Sequence, residues 1–193
     1  YTTLFRSVEM QFADFVSMGF NQIVNNLAKI HYRWEQNADV VIRMPTGAGS
    51  GAGPFHSQST EGWFAHTPGL KVVYPATPTD AKGLLNAAIE DPNPVIYFEH
   101  KNLYRSQIEE VFEDYYTIEI GKARIVNEGS DVTIVTYGAG VHWALETLAN
   151  NPDISADVVD LRTLVPWDSD TVVNSLAKTG KILVLEEAVQ TGS

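Results

Sequence analysis

The stretch Val40-Val41-Ile42-Arg43-Met44-Pro45-Thr46-Gly47-Ala48-Gly49-Ser50-Gly51-Ala52-Gly53-Pro54-Phe55-His56 reads as a short β-branched strand, stopped by Pro45, that hands the chain to a loop with glycine at alternate positions. Glycine lets the backbone adopt conformations closed to other residues and approach a ligand closely. The loop ends in an imidazole flanked by Ser57, Gln58 and Ser59 and then runs into Trp63-Phe64-Ala65-His66-Thr67-Pro68-Gly69. A flexible spacer would continue polar. The segment therefore reads as a ligand site centred on His56, reached from the end of a buried strand.

Before this stretch, Phe15, Val16, Phe20, Ile23, Val24, Leu27 and Ile30 recur at three- and four-residue spacing, predicting an amphipathic helix over 12–33 that starts near Asp14. After it, Leu70-Lys71-Val72-Val73-Tyr74 is a second strand, Thr79 a cap for a helix through Ala88, and Pro94-Val95-Ile96-Tyr97-Phe98-Glu99 a third strand. The order α-β-loop-β-α-β predicts a parallel sheet covered by helices, with ligands in crevices beyond the carboxyl ends of its strands. The alternation lapses after Lys101, where Glu109, Glu110, Glu113 and Asp114 accompany Tyr115 and Tyr116. This divides the chain into a first unit over 8–104, a linker over 105–128 and a second unit over 129–193. In the second unit strands are expected over 132–137, 157–161 and 181–185, with helices over 141–149 and 168–178. The fold class is α/β with two parallel-sheet units, the second still being built where the sequence stops. Truncation at both ends is the expectation.

A composition of 44% hydrophobic and 19% charged residues suits a globular chain with real cores. The net charge of −11, with 13 scattered basic residues, argues against nucleic-acid or anionic-membrane binding. There is no cysteine, which removes disulfides, thiolate metal sites and a cysteine nucleophile together. No apolar run approaches the roughly 20 residues of a membrane-spanning helix, and no signal-peptide pattern opens the chain. A cytoplasmic protein, or one of the mitochondrial matrix if eukaryotic, is expected. Residues 1–7 are what TAC ACG ACG CTC TTC CGA TCT encodes, the end of a common sequencing-library adapter. They are expected to be adapter-derived, with the natural gene beginning upstream of Val8; a genuine edge strand is the other reading.

Common glycine-rich chemistries fail on spacing. The dinucleotide fingerprint needs a third glycine at its sixth position, where Ala52, Pro54 or His56 stands. No Gly-Lys-Ser or Gly-Lys-Thr follows, and Ser50 has Ala48 and Ala52 two residues to either side, which excludes the hydrolase elbow. His31, His56, His66, His100 and His142 are too dispersed for a zinc site. His56 is left as acid, base or donor, or as a loop histidine bonded to backbone. His66, before Pro68-Gly69, reads as structural.

The runs Glu9-Met10-Gln11-Phe12-Ala13-Asp14-Phe15, Asp39 to Ser59, Phe64-Ala65-His66-Thr67-Pro68-Gly69-Leu70-Lys71-Val72-Val73, Asp80-Ala81-Lys82-Gly83-Leu84-Leu85 and Ile89-Glu90-Asp91-Pro92-Asn93-Pro94 together resemble one family. It is the β subunit of thiamine-diphosphate-dependent 2-oxo acid dehydrogenases, the decarboxylating component. Asp160-Leu161-Arg162-Thr163-Leu164-Val165-Pro166-Trp167-Asp168 and Leu185-Glu186-Glu187-Ala188 resemble the transketolase-type C-terminal domain, so the likeness runs from about Val8 to Ser193.

The resemblance implies a pyrimidine-binding domain followed by a C-terminal domain in an α2β2 assembly, with thiamine diphosphate at each α/β interface. It further implies a second β subunit and a lipoyl acyltransferase core as partners. Phe15 matches the aromatic that packs on the cofactor's aminopyrimidine, with Gln11 beside it; the other reading of Phe15 is a helix core residue. His56 matches the active-site histidine, expected to stabilise charge during decarboxylation and assist acyl transfer to a lipoyl group. A monovalent cation, K+, maps to Val40, Val41, Ala88, Asp91 and Asn93, mostly through carbonyls, against a plain Asp-Pro-Asn-Pro turn. Two family features have no match here: the glutamate that activates the cofactor, which would precede Val8, and the Gly-Asp-Gly motif holding Mg2+, expected on the α partner. The fragment is therefore expected to be inactive alone. Pro54-Phe55-His56-Ser57-Gln58-Ser59 and Arg43-Met44-Pro45 favour branched-chain 2-oxo acids over pyruvate. A transketolase or deoxyxylulose-phosphate synthase, or a non-catalytic assembly module, are the rival readings.

Overall fold

The computed structural model describes residues 7–49 and 51–191. Of the segment expected to be adapter-derived, residues 1–6 lie outside the described residues. Ser7 opens β1 (Ser7–Glu9), which pairs in parallel with the strand that precedes the glycine-rich loop.

The periodicity over 12–33 does yield a helical path, but not one regular α-helix. The chain winds through 3-10 turns over Ala13–Gly19, a π segment over Gln22–Asn26 and a further 3-10 turn over Leu27–Lys29, then closes with α1 (Ile30–Trp34). The wide turn coincides with amide side chains that bond along the helix. Asn25 donates to Asn21 Oδ1 at 2.9 Å, Asn26 donates to Gln22 Oε1 at 3.0 Å, and the Lys29 ammonium caps the Val24 carbonyl. Such side chains compete with the regular backbone ladder. The winding buries Ala13, Val16, Ile23 and Ala28 but leaves Phe15 42% exposed, although spacing placed it on the apolar stripe.

The glycine-rich loop leaves β2 (Val41–Thr46) and leads to α2 (Glu61–Ala65), β3 (Lys71–Val73), α3 (Pro78–Glu90), β4 (Val95–His100) and the short α4 (Leu103–Ser106). The cap of α3 is Thr77 rather than Thr79. Thr77 Oγ1 accepts from the Asp80 N–H at 3.2 Å and donates to its carboxylate, while Pro78 takes the first helical position, where its fixed φ suits the turn. β4 is buried along its whole length, as a central parallel strand must be. Its side chains alternate between two cores: Ile96 and Phe98 meet Val16, Met44 and Phe64 under the N-terminal helical segment, and Val95 and Tyr97 meet Val73, Leu84 and Ala88 under α3.

Within the segment expected to link the units, Arg124–Asn127 forms β5, a strand of the second sheet. Its acidic upstream neighbours hide a strand of only four residues, too short for alternation to announce. β6 (Val132–Thr136), α5 (Ala139–Asn150), β7 (Ala156–Asp160), β8 (Thr163–Val165), α6 (Ser169–Thr179) and β9 (Ile182–Val184) follow. The second sheet has the order β5-β7-β6-β9, parallel except for β5. The first has the order β1-β2-β4-β3-β8, and β8 is an antiparallel edge contributed by the second half of the chain.

That crossing joins the units. Tyr74 N–H donates to Arg162 O at 2.8 Å, His142 Nε2 meets Ala76 O at 2.7 Å, and Arg162 reaches the buried Asp80 carboxylate at 3.3 Å. Arg162 takes a left-handed φ of 58° to make this turn.

Candidate functional site

β2 and β4 are paired from Val41↔Val95 to Thr46↔His100, so both end on the same rim, and the glycine-rich loop starts there. The loop is closed at its base. Gln58 O accepts from Thr46 Oγ1 at 3.1 Å and from Gly47 N–H at 3.4 Å, and Gln58 N–H donates to Asp14 Oδ1 at 3.0 Å. Gly47 has φ of 95°, and a Cβ there would lie 2.3 Å from His100 Nε2, so shape and backbone both require glycine.

His56 is half-buried and faces the N-terminal helical segment. Its ring stands edge-on to Phe12 at 5.2 Å and to Phe15 at 5.4 Å, and Lys101 Nζ lies 4.9 Å over the Phe12 ring while donating to the His56 carbonyl. The His56 N–H donates to Gly53 O at 3.2 Å. Among the described residues its imidazole nitrogens make no hydrogen bond, so the ring is not consumed by backbone. Gln11, Phe12, His56, Lys101 and Tyr104 line a cleft of about 820 Å3 beside the loop. Gln11 and Phe15, neighbours in one motif, are thus brought to His56, which is distant in sequence. Burial lowers the Lys101 pKa, against the pull of Asp14 and Glu187.

Sequence reasoning did not single out Phe12, Asp14, Lys101 or Glu187 for a role here. Phe12 and Asp14 sit in a motif already noticed, and Glu187 in another, but nothing local joins them to the loop. Glu187 lies just beyond β9 and accepts from Ala48 N–H at 3.0 Å, a contact spanning 139 residues. Close by, Glu61 is buried under Tyr137, whose hydroxyl donates to it at 3.0 Å. Burial pushes the Glu61 carboxyl up to about 7 against that hydrogen bond, with the Glu186 and Glu187 charges adding to the rise.

The residues mapped to a monovalent cation gather at the opposite rim. Val40 O accepts from Val95 N–H at 2.9 Å, Ala38 N–H donates to Pro92 O at 3.1 Å, and Ala88 is buried near the end of α3. Asp91 Oδ1 accepts from Asn93 N–H and Nδ2, both at 2.9 Å, and Oδ2 pairs with Lys71. A cation there would draw on carbonyls, since the Asp91 charge is already matched. The length of β2, roughly 17 Å, separates this corner from the rim where the glycine-rich loop begins. Among the described residues no three His, Asp or Glu side chains form a metal cluster, and no helix is long and apolar enough to cross a membrane.

A glycine loop at the carboxyl rim of one α/β sheet, held by the chain that follows the last strand of a second, defines a class of paired α/β domains. Residues 1–107 match the transketolase pyrimidine-binding domain and residues 121–193 the transketolase C-terminal domain, and the chain belongs to this family. Within it, the chain is similar to proteins named as beta subunits of several different enzymes, among them acetoin:2,6-dichlorophenolindophenol oxidoreductase subunit beta of Cupriavidus necator, 50% identical over 93% of this chain and 54% of that protein. The chain is 49% identical over 95% of its length to 2-oxoisovalerate dehydrogenase subunit beta, mitochondrial, of Dictyostelium discoideum, covering 51% of that protein. It is 47% identical over 95% of its length to pyruvate dehydrogenase E1 component subunit beta of Bacillus subtilis (strain 168), covering 58%. A solved split-gene transketolase, an inactive beta4 tetramer, superposes with a TM-score of 0.76 at 28% identity over 96% of this chain and 58% of that one. The chain spans about half the length of the curated relatives it matches.

Proposed function

We propose that this chain is the β-type portion of the decarboxylating component of a 2-oxo acid dehydrogenase. The reaction is oxidative decarboxylation of a 2-oxo acid, branched-chain in preference to pyruvate, with the acyl group passed to lipoyl-lysine. The observation that carries the reading is the meeting of Gln11, Phe15 and His56 at the carboxyl rim of the first sheet, supported by identity to dehydrogenase β subunits well above that to the transketolase structure.

The residues present fit thiamine diphosphate. An aromatic ring held 42% exposed beside an imidazole without hydrogen bonds among the described residues is what a planar heterocycle would cover. When bound, the cofactor supplies the carbon nucleophile and electron sink for loss of carbon dioxide. Phe15 would pack on its aminopyrimidine, Gln11 would bond its polar edge, and His56 would donate to developing negative charge and move a proton during acyl transfer. Lys101 holds the His56 backbone, and Asp14 holds the end of the loop.

An α partner would complete the site with Mg2+ and the diphosphate contacts, and a second β subunit and a lipoyl acyltransferase core would complete the assembly. Without those elements this stretch is expected to be inactive. K+ would bind at Val40, Val41, Ala88, Asp91 and Asn93, away from the reacting groups.

The test is the full-length protein assembled with its α partner. His56→Ala is expected to lower reductive acylation of lipoyl-lysine by on the order of a hundredfold or more, with cofactor binding retained. Unchanged acylation would overturn the assignment of His56. Turnover of pyruvate faster than of branched-chain 2-oxo acids would overturn the substrate preference.

A further inference from the structure

The glycine-rich loop is held from two directions. Its far end is tied to the first unit by Asp14 and Thr46, through Gln58. Its near end, and Ser59 just past its far end, are tied to the second unit by a single carboxylate oxygen. Glu187 Oε2 accepts from the Ala48 N–H at 3.0 Å, from Ser59 Oγ at 3.4 Å and from His100 Nε2 at 2.9 Å.

The donor role of His100 follows from its other nitrogen. Nδ1 lies 3.3 Å from the Asn102 N–H and accepts from it, so the proton sits on Nε2 and points at Glu187. His100 is 2% exposed at the end of β4, and its ring fills the space that a Gly47 Cβ would need. Three donors from three elements, the loop, the segment after it and β4, therefore converge on one oxygen carried by the chain beyond β9. Burial opposes the charge on Glu187, and the hydrogen bonds from His100 and Ala48 outweigh it, so its carboxyl lies below the usual range.

We propose that Glu187 is a positioning residue: from the second unit it clamps the first turn of the glycine-rich loop against His100 and thereby sets the place of His56 in the cleft. The consequence is that the two units must be docked for the loop to hold its shape. The inference rests on His56 being the group the cleft presents to its ligand.

The test uses the full-length protein in its assembled state. Glu187→Ala is expected to speed exchange of the Ala48 amide by roughly tenfold or more, because the acceptor is lost. It is expected to lower the kcat of lipoyl acylation by about tenfold, with KM for the 2-oxo acid within about twofold. Glu187→Gln keeps an acceptor oxygen at the same reach and is expected to restore both. Glu187→Asp keeps the charge but falls one methylene short, and is expected to follow Glu187→Ala, which separates reach from charge. Parental Ala48 exchange in Glu187→Ala and Glu187→Asp would overturn the clamp. So would faster exchange with unchanged acylation, if His56→Ala abolishes acylation in the same assay. If His56→Ala itself leaves acylation unchanged, the role proposed for His56 fails and the clamp is decided by Ala48 exchange alone.

Discussion

Asp160 ends β7 at the junction of the two units, and replacing it by asparagine should stabilise the protein at alkaline pH and destabilise it in acid. The side chain is fully buried. Oδ1 accepts from the Arg162 N–H at 3.1 Å, whereas Oδ2 has no partner among the described residues. The Arg162 guanidinium is engaged by Asp80 at 3.3 Å and by the Lys122 and Ala123 carbonyls. Burial first, and the nearby Asp80 charge second, push the Asp160 carboxyl from its ordinary 3.8 up to about 7. In the unfolded chain the group ionises near 3.8; in the folded chain it keeps its proton until about 7. Folding therefore binds a proton between those values, and the stability present below pH 3.8 is lost as pH rises to 7. At about 1.4 kcal/mol per pH unit the ionised form costs the fold about 4 kcal/mol above about pH 7.

An asparagine side chain at this position would keep the acceptor for the Arg162 N–H and remove the charge, but it would leave an amide donor buried, at a cost of about 2 kcal/mol. The net expectation for Asp160→Asn is a gain of about 2 kcal/mol at about pH 8, seen as a higher melting temperature of the variant than of the wild type. At about pH 4 the sign reverses, since the wild-type carboxyl is then neutral in the fold. Melting of the full-length assembled protein and of the variant across roughly pH 4–8 reads this directly. Parallel curves, with no crossing between them, would refute the reasoning.

Phe15→Ala should weaken thiamine diphosphate binding by about tenfold, measured by calorimetry on the assembled protein, while lowering stability by less than about 1 kcal/mol, because the ring is already half exposed; unchanged affinity would remove Phe15 from the site. Gly69→Ala should cost upwards of about 4 kcal/mol in a denaturation experiment, since the residue has φ of 99° and a Cβ would come to 1.8 Å from the Ala28 carbonyl oxygen. A loss under about 1 kcal/mol would show that the N-terminal helical segment can move away from that turn.

The two-sheet α/β plan is legible in the residues alone, because short β-branched runs such as Val95 to Phe98 and Val132 to Val135 can bury both faces only between helices. So is the loop that ends in His56, since glycines at alternate positions have few uses besides shaping a loop, whereas Gln11 and Phe15 are reached only through the family resemblance. The remainder depends on how the folded chain brings distant segments together. Period and composition are blind to contacts between distant residues, so β8 joining the first sheet, the bond from Glu187 to Ala48 and the approach of Arg162 to Asp80 carried no local signal. The irregular winding of the N-terminal helix was hidden for a related reason: its apolar spacing suits an α-helix, yet Asn and Gln side chains bonding along it accompany a wider turn and a Phe15 left open beside His56. Residue types along the chain announced the elements and the imidazole; only the docking of the second unit put a carboxylate against the loop that carries it.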